Sequence, residues 1–489
     1  MKEIDLMKNI IKKTAIWFFV TFLFLGGCTG SFQDVDTNPL SLNDVPPTNI
    51  LAAVLRGTAD EFGNEKDVFG TFAGYLVKIQ YPDNLSGFKP SNNSYGNKWY
   101  QCYYGNTQLN KMLESVQEDA KIAYAAKIWQ IYLWQYLVDA WGDVPYFESF
   151  KGAEGILTPK YDKQEDIYPD LLARLKTIAD AMAADNGSGD IGAGDFIYKG
   201  DVVKWQKFCN SLRLRIAMRI SGVAPALAKT TIEEICGNPA KYPYIDNNAS
   251  ACYFWWSGAA PYEEMWYEDE STRPDNFGIF DILINHMKEM EDPRIGVIAE
   301  PAKDGEFRGY QNGAPTVENY ATISHIGKKY TLDSKGFTPF YKACESYFII
   351  AEAAMLGWNV EMTPGQAYEK AVQLSMEENG VPVADATAYL EGKGKWNNTN
   401  DRIWEEMWVA LFKENHEAWS LYRRTGVPRD NYISIRSVYG SAHTSQPFRA
   451  PYRENEYLYN KEQLDVALQG IVDYGWGKQL WWDKRVGVK

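Results

Sequence analysis

Histidine is scarce in this chain. There are four in 489 residues, with six cysteines. No two cysteines form a C-x-x-C pair, and no H-E-x-x-H is present, because Ser420 stands where the second histidine after His416-Glu417 would be. Zinc hydrolase chemistry therefore lacks its ligands. No G-x-x-x-x-G-K-[ST] loop and no G-x-S-x-G elbow occurs, so P-loop nucleotide binding and esterase chemistry have no basis in the sequence. Positive charge is short as well. Fifty Lys and Arg face 64 Asp and Glu, a formal charge of −14. Such a chain repels phosphate backbones, which excludes nucleic acid as a partner. The acidic, loop-rich composition leaves a calcium ion open, but no D-x-[DN]-x-[DN]-G loop supports one. No cofactor is expected.

Long apolar runs are limited to one. AIWFFVTFLFL at 15–25 is eleven residues, short of the roughly 20 that span a bilayer. Lys8, Lys12 and Lys13 precede it, and Leu25-Gly26-Gly27-Cys28 follows. This order matches a lipoprotein signal peptide over 1–27, cut before an acylated Cys28. Removing 1–27 takes away four lysines and two acids, leaving a mature charge of −16. Thr29 makes outer-membrane sorting the default. Residues 28–46 are polar and read as a tether. Cys102, Cys209, Cys236, Cys252 and Cys344 are scattered, as buried apolar thiols would be.

Aromatic rings are in excess: 17 Trp, 32 Tyr and 22 Phe. They crowd into YFWWSGAAPYEEMWYE at 253–268, where Gly258 and Pro261 forbid a single helix or strand. Elsewhere helical periods dominate. Apolar residues recur at helical spacing over 119–141, 201–220 and 401–424, with Asp201 and Asp401 as N-cap candidates and Gly426 as a stop. Segments pair as 98–117 with 119–141, 163–184 with 201–221, and 341–357 with 364–379, the last with small residues Ala351, Ala353 and Ala367 for close approach. The expected fold is mostly α, of tetratricopeptide-like stacked helix pairs. It forms one domain over 47–489 with loop insertions at about 81–97 and 238–340. Short strands are expected at Tyr244-Ile245, at Tyr253–Trp256 and within 320–331.

WGDVPYF (141–147), IYPDLLARL (167–175), GDFIYKGDVVKWQKFCNSLRLRIAMRIS (194–221), AEAAMLGW (351–358), WVALFKENHEAWSLYRRTGVPR (408–429), PFRAPYRENEYLYN (447–460) and LWWDK (480–484) occur in this order. Together they resemble the SusD/RagB family of Bacteroidetes outer-membrane lipoproteins. The one noted departure is Arg453, where the resemblance leads one to expect proline. The resemblance implies a non-enzymatic surface protein that captures a nutrient for a SusC-like TonB-dependent transporter. It also implies a ligand site built from an early loop and a middle insertion. Asp34 and Asp36, soon after Cys28, are similar to the acidic export signal of such surface lipoproteins.

Ligand contacts vary within that family, so the residues themselves must propose a site. A pyranose has C–H faces that suit an aromatic plane and a hydroxyl rim that suits Asp, Asn, Gln and Arg. Trp266 and Trp99 are the preferred pair, followed by Trp255 and Tyr267. Trp256, Tyr81, Tyr95, Asn97 and Asp83 complete the set. Glu263, Glu264, Asp269 and Arg273 lie alongside. Trp476, Trp481 and Trp482 are assigned to packing. A glycan is the expected ligand. A peptide on the same scaffold and a purely structural lid are the alternatives, and a glycoside hydrolase using Glu263-Glu264 or Asp269-Glu270 is the weakest reading.

Overall fold

A computed structural model describes residues 45–488 except 67, 81–94, 186, 432–442 and 444. The signal peptide, Cys28, most of the tether, Tyr81 and Asp83 lie outside the described residues. Pro47–Lys489 forms one compact unit.

Helices make up most of it. The main ones are α1 Pro47–Gly63, α2 Gly96–Leu113, α3 Lys121–Trp141, α4 Gln164–Ala184, α5 Val202–Arg219, α6 Pro225–Cys236, α7 Met265–Thr272, α8 Ala343–Met355, α9 Pro364–Glu378, α10 Asn400–Ala410, α11 Asn415–Thr425 and α12 Glu454–Tyr459. Successive helices pack as neighbours, α2 on α3, α4 on α5 and α8 on α9, as the repeat pattern predicts. Helix α1, not foreseen in the sequence, packs on α2. Small residues allow the close approach: a Cβ on Gly105 would sit 2.8 Å from Leu133 Cδ1 and 3.3 Å from Val54 Cγ1. Ala351, Ala353 and Ala367 are fully buried between α8 and α9. Helix α3 is covered on nearly every face, with Trp129 at its centre, edge-on to Phe340 at 4.9 Å. Each such buried large side chain contributes roughly 1.5–3 kcal/mol.

Caps follow local chemistry. Asp201 accepts from Val203 N and Lys204 N, and Gly426 ends α11 in the left-handed region. The single helix expected over 401–424 is instead two. Lys413 takes φ +79 between α10 and α11 and turns its ammonium inward to Glu264 at 2.8 Å. The cap is Thr399 rather than Asp401.

Strands are short. β1 Leu76–Lys78, β3 Phe277–Ile279, β4 Ala299–Glu300 and β5 His325–Ile326 form an antiparallel sheet in the order β1-β3-β5-β4, and β2 Cys252–Trp255 pairs with β6 Phe337–Tyr341. The strand expected at Tyr244-Ile245 does not form. The ladder groups of β2 are taken by β6, about 80 residues away in sequence. The stretch 238–340 is more ordered than expected, since it holds α7, a helix at Asp281–Glu289 and three of the four sheet strands.

Charge also enters the core. Arg215 and Arg219 on α5 are buried. Arg215 Nε donates to Glu345 Oε1 at 2.6 Å, and its Nη2 reaches Glu414. Arg219 Nη2 donates to Glu417 Oε2 at 2.6 Å, with Asp139 beside it. The five described cysteines are all buried and free, and burial pushes their thiols up. Among the described residues no helix is long and apolar enough to cross a membrane.

Candidate functional site

Strand β2 divides its rings by alternation. Tyr253 and Trp255 lie on the side of Phe337, with ring centroids 4.7 and 5.1 Å from it. Phe254 and Trp256 turn to the other side. There Trp256 Nε1 donates to Thr338 Oγ1 at 3.1 Å. Trp256 is 4% exposed, whereas Trp255, at the strand end, is 56% exposed.

Beyond the strand the chain folds back. Gly258 takes φ +76, and its N–H donates to Tyr262 O at 3.1 Å. A side chain at Gly258 would meet Lys335 Cγ at 2.4 Å, so the reversal needs glycine. The turn returns Tyr262 beside the strand, where the Arg56 guanidinium of α1 lies 4.7 Å from its ring centre. Arg56 Nη2 pairs with Asp60 at 3.1 Å.

The third wall comes from the loop before α5. Buried Asp195 accepts from Ile197 N, Tyr198 N and Gly200 N, and from Trp205 Nε1 at 2.8 Å. Gly194 N donates to Thr48 Oγ1 at 2.7 Å, so close to α1 that only glycine fits. The loop so held presents Phe196, 44% exposed, edge-on to Phe254 at 5.9 Å.

Between these walls lies a cleft of about 260 Å³, lined by Arg56, Phe196, Phe254, Trp255, Trp256, Ser257 and Tyr262. It is at the small end of ligand sites. Flat apolar faces dominate it, with the Arg56 guanidinium and the Ser257 hydroxyl as polar groups. No carboxylate lines it among the described residues.

The other expected site residues fall elsewhere. Trp266 is fully buried, and its Nε1 donates to Gly63 O at 2.9 Å. Trp99 is buried edge-on to Trp141 at 5.3 Å, and Tyr95 is buried 6.5 Å from the same ring. These three are core, because a helix start and an insertion each need their own apolar anchor. Tyr267 is half-buried on α7, and Asn97 is exposed in the first turn of α2. The structure thus brings Trp255 and Trp256 to one cleft and does not bring Trp99 or Trp266 there. Trp476 and Trp482 are buried and Trp481 half-buried, as packing predicts.

Two of the four candidate acids, Glu264 and Asp269, have structural work. Glu264 accepts from Trp266 N and Tyr267 N at the start of α7 and pairs with Lys413. Asp269 pairs with buried Lys66 and with Arg273. A separate polar cleft of about 320 Å³ includes Asp281, His286, Glu289, Glu405 and Arg429. Among the described residues no group of three or more His, Cys, Asp or Glu is placed to hold a metal ion.

Sequence reasoning missed Arg56, Phe196 and Tyr262 as site residues. Tyr262 stood in the quoted run. The paired glycines of GAGDF were a signal of close backbone approach next to Phe196. Arg56 gave none, because its helix was not foreseen.

Comparison with known proteins decides the family. The SusD-like family described as "Starch-binding associating with outer membrane" matches residues 39–452. The chain belongs to this SusD-like family. Similar solved structures include a SusD-like protein from Bacteroides thetaiotaomicron VPI-5482, 23% identical, covering 91% of this chain and 100% of that one at a TM-score of 0.79. A chitin-binding protein is 25% identical, covering 90% of this chain and 100% of that one at a TM-score of 0.78. A chitin-binding SusD homolog from Flavobacterium johnsoniae is 23% identical, with 89% and 98% covered and a TM-score of 0.76. Among curated proteins none matches the chain. The helix-pair architecture is therefore the SusD-like fold, as the sequence resemblance implied.

Proposed function

We propose that this protein binds a glycan in the Trp255 cleft and passes it uncleaved to a SusC-like TonB-dependent transporter. The observation that carries the reading is the exposed indole of Trp255 at the mouth of a ring-walled cleft. A pyranose face stacks on the indole, the Arg56 guanidinium donates to its hydroxyls, and the Ser257 oxygen, whose own proton goes to Tyr262 O, accepts from one. The family description and the two relatives described as chitin-binding support a carbohydrate ligand. A non-enzymatic role is supported by the lining of the cleft. Hydrolysis of a glycosidic bond needs two carboxyls across it, and Glu264 and Asp269 are occupied elsewhere. Anchoring through Cys28 to the outer membrane, facing outward, completes the proposal.

The test is calorimetry or affinity electrophoresis against a panel of soluble glycans, with Trp255→Ala compared to the parent. Binding to at least one glycan, weakened about tenfold in the variant, is expected. A peptide ligand with no glycan response would overturn the reading in favour of the peptide alternative, and cleavage of the bound glycan would overturn the non-enzymatic part.

A further inference from the structure

The charge of the Trp255 cleft is set by one pair of side chains. Among the described residues, Arg56 is the only charged group in the lining. It is not a free cation. One turn further along α1, Asp60 Oδ2 lies 3.1 Å from Arg56 Nη2, and both side chains are partly buried. Residues four apart share a helix face, so the pair is built into α1. The guanidinium also lies 4.7 Å from the centre of the Tyr262 ring, and its Nε is buried. What Arg56 offers a ligand is therefore N–H donors on a charge that is already balanced.

Ser257 carries the same bias. Its hydroxyl donates to Tyr262 O at 3.2 Å, and its oxygen accepts from Ala259 N at 3.4 Å. One lone pair is left. That suits a ligand hydroxyl, which has a proton to donate, and not a carboxylate, which has none. Lys335 packs its stem against the Gly258 turn and lies outside the lining. Glu61 adds negative charge next to Asp60, and the whole chain is acidic, at −14.

We propose that the Trp255 cleft selects uncharged glycans and that Asp60 sets this choice. One ligand hydroxyl accepts from Arg56, and another donates to Ser257. A uronic acid residue in the same place would bring a second carboxylate to a guanidinium that Asp60 already holds. That carboxylate meets repulsion from Asp60 and a lone pair from Ser257. The ring walls keep water away and so leave the repulsion poorly screened. Asp60 acts through Arg56 and is outside the lining. The ligand class rests on the glycan reading above.

The test is calorimetry of the full chain with chitohexaose, maltohexaose and cellohexaose, each beside its form oxidised from hydroxymethyl to carboxylate at C6, and with hexagalacturonate. Burial pushes the Asp60 carboxyl up while Arg56 pulls it down, so titrations are made at about pH 8. A neutral sugar is expected to bind the parent, with its carboxylate form weaker by about tenfold or more. Asp60→Asn narrows that ratio by about fivefold, and adding Arg56→Gln cancels the narrowing. Asp60→Glu keeps the charge and leaves the ratio as in the parent, which separates charge from any effect on the helix. Circular dichroism checks that each variant is folded. A parent that binds a carboxylate form or hexagalacturonate as tightly as the neutral sugars overturns the inference and leaves the glycan reading standing, as does a ratio that Asp60→Asn leaves unchanged. No binding of either kind of sugar overturns the glycan reading and this inference with it.

Discussion

Trp255 and Trp256 are adjacent in the chain and opposite in the fold: one indole is 56% exposed and the other 4%. The pleat of β2 separates them, and each has a different consequence when removed. Trp255→Ala should weaken glycan binding about tenfold, equivalent to ~1.4 kcal/mol, while changing stability by less than about 1 kcal/mol. Trp256→Ala should instead destabilise the fold by about 3–5 kcal/mol. Calorimetry and urea denaturation of the two variants check the contrast.

Trp266 offers a sharper version. From its place in the aromatic run it reads as a ligand platform, but it is sealed under Lys413 and hydrogen-bonded to Gly63 O. Trp266→Phe should lower stability by about 1–3 kcal/mol, since the carbonyl loses its donor in a buried setting. Denaturant midpoints measure this, and unaltered glycan affinity in the folded fraction is expected.

Glu264 and Lys413 form a buried ion pair at 2.8 Å. Lys413→Met alone strands the carboxylate and should cost about 3–5 kcal/mol. Adding Glu264→Gln removes the stranded charge and should recover most of that loss. A double-mutant cycle in urea tests the coupling, and additive losses would contradict it.

Glu65 is fully buried against Tyr136, and burial pushes its carboxyl up to about 7. The unfolded chain releases this proton near its ordinary value of 4.5. Stability from Glu65 is therefore complete below about pH 4.5 and is lost as pH rises through about 7, a change of about 3 kcal/mol. Glu65→Gln, which mimics the protonated form, should flatten the fall in stability between about pH 5 and pH 8. Thermal melts across that range read the slope.

The fold was legible wherever one face of a helix carried the pattern. Ala351, Ala353 and Ala367 announced a tight pair, and Asp201 announced a helix start. Breaks that depend on distant partners were not. Lys413 leaves the helical region because Glu264, 149 residues away in the chain, takes its ammonium inside. Arg215 and Arg219 are the charges of a buried network whose acids come from α3, α8 and α11, or from the turn before α11. The site was half legible for the same reason. Composition located the ring-rich segment, and strand alternation sorted Trp255 from Trp256. Which turn brought Tyr262 back, and which helix brought Arg56 to it, depended on contacts between segments that no local pattern encodes.

The buried cysteines carry a practical consequence. Each thiol is enclosed, with burial holding it in the neutral form. A neutral, enclosed sulfur is a poor nucleophile. In the native molecule these five positions are chemically silent towards alkylating probes, and they become reactive only where the chain opens. Mass-spectrometric labelling at Cys102, Cys209, Cys236, Cys252 and Cys344 would thus map, across four helices and strand β2, the order in which the body comes apart.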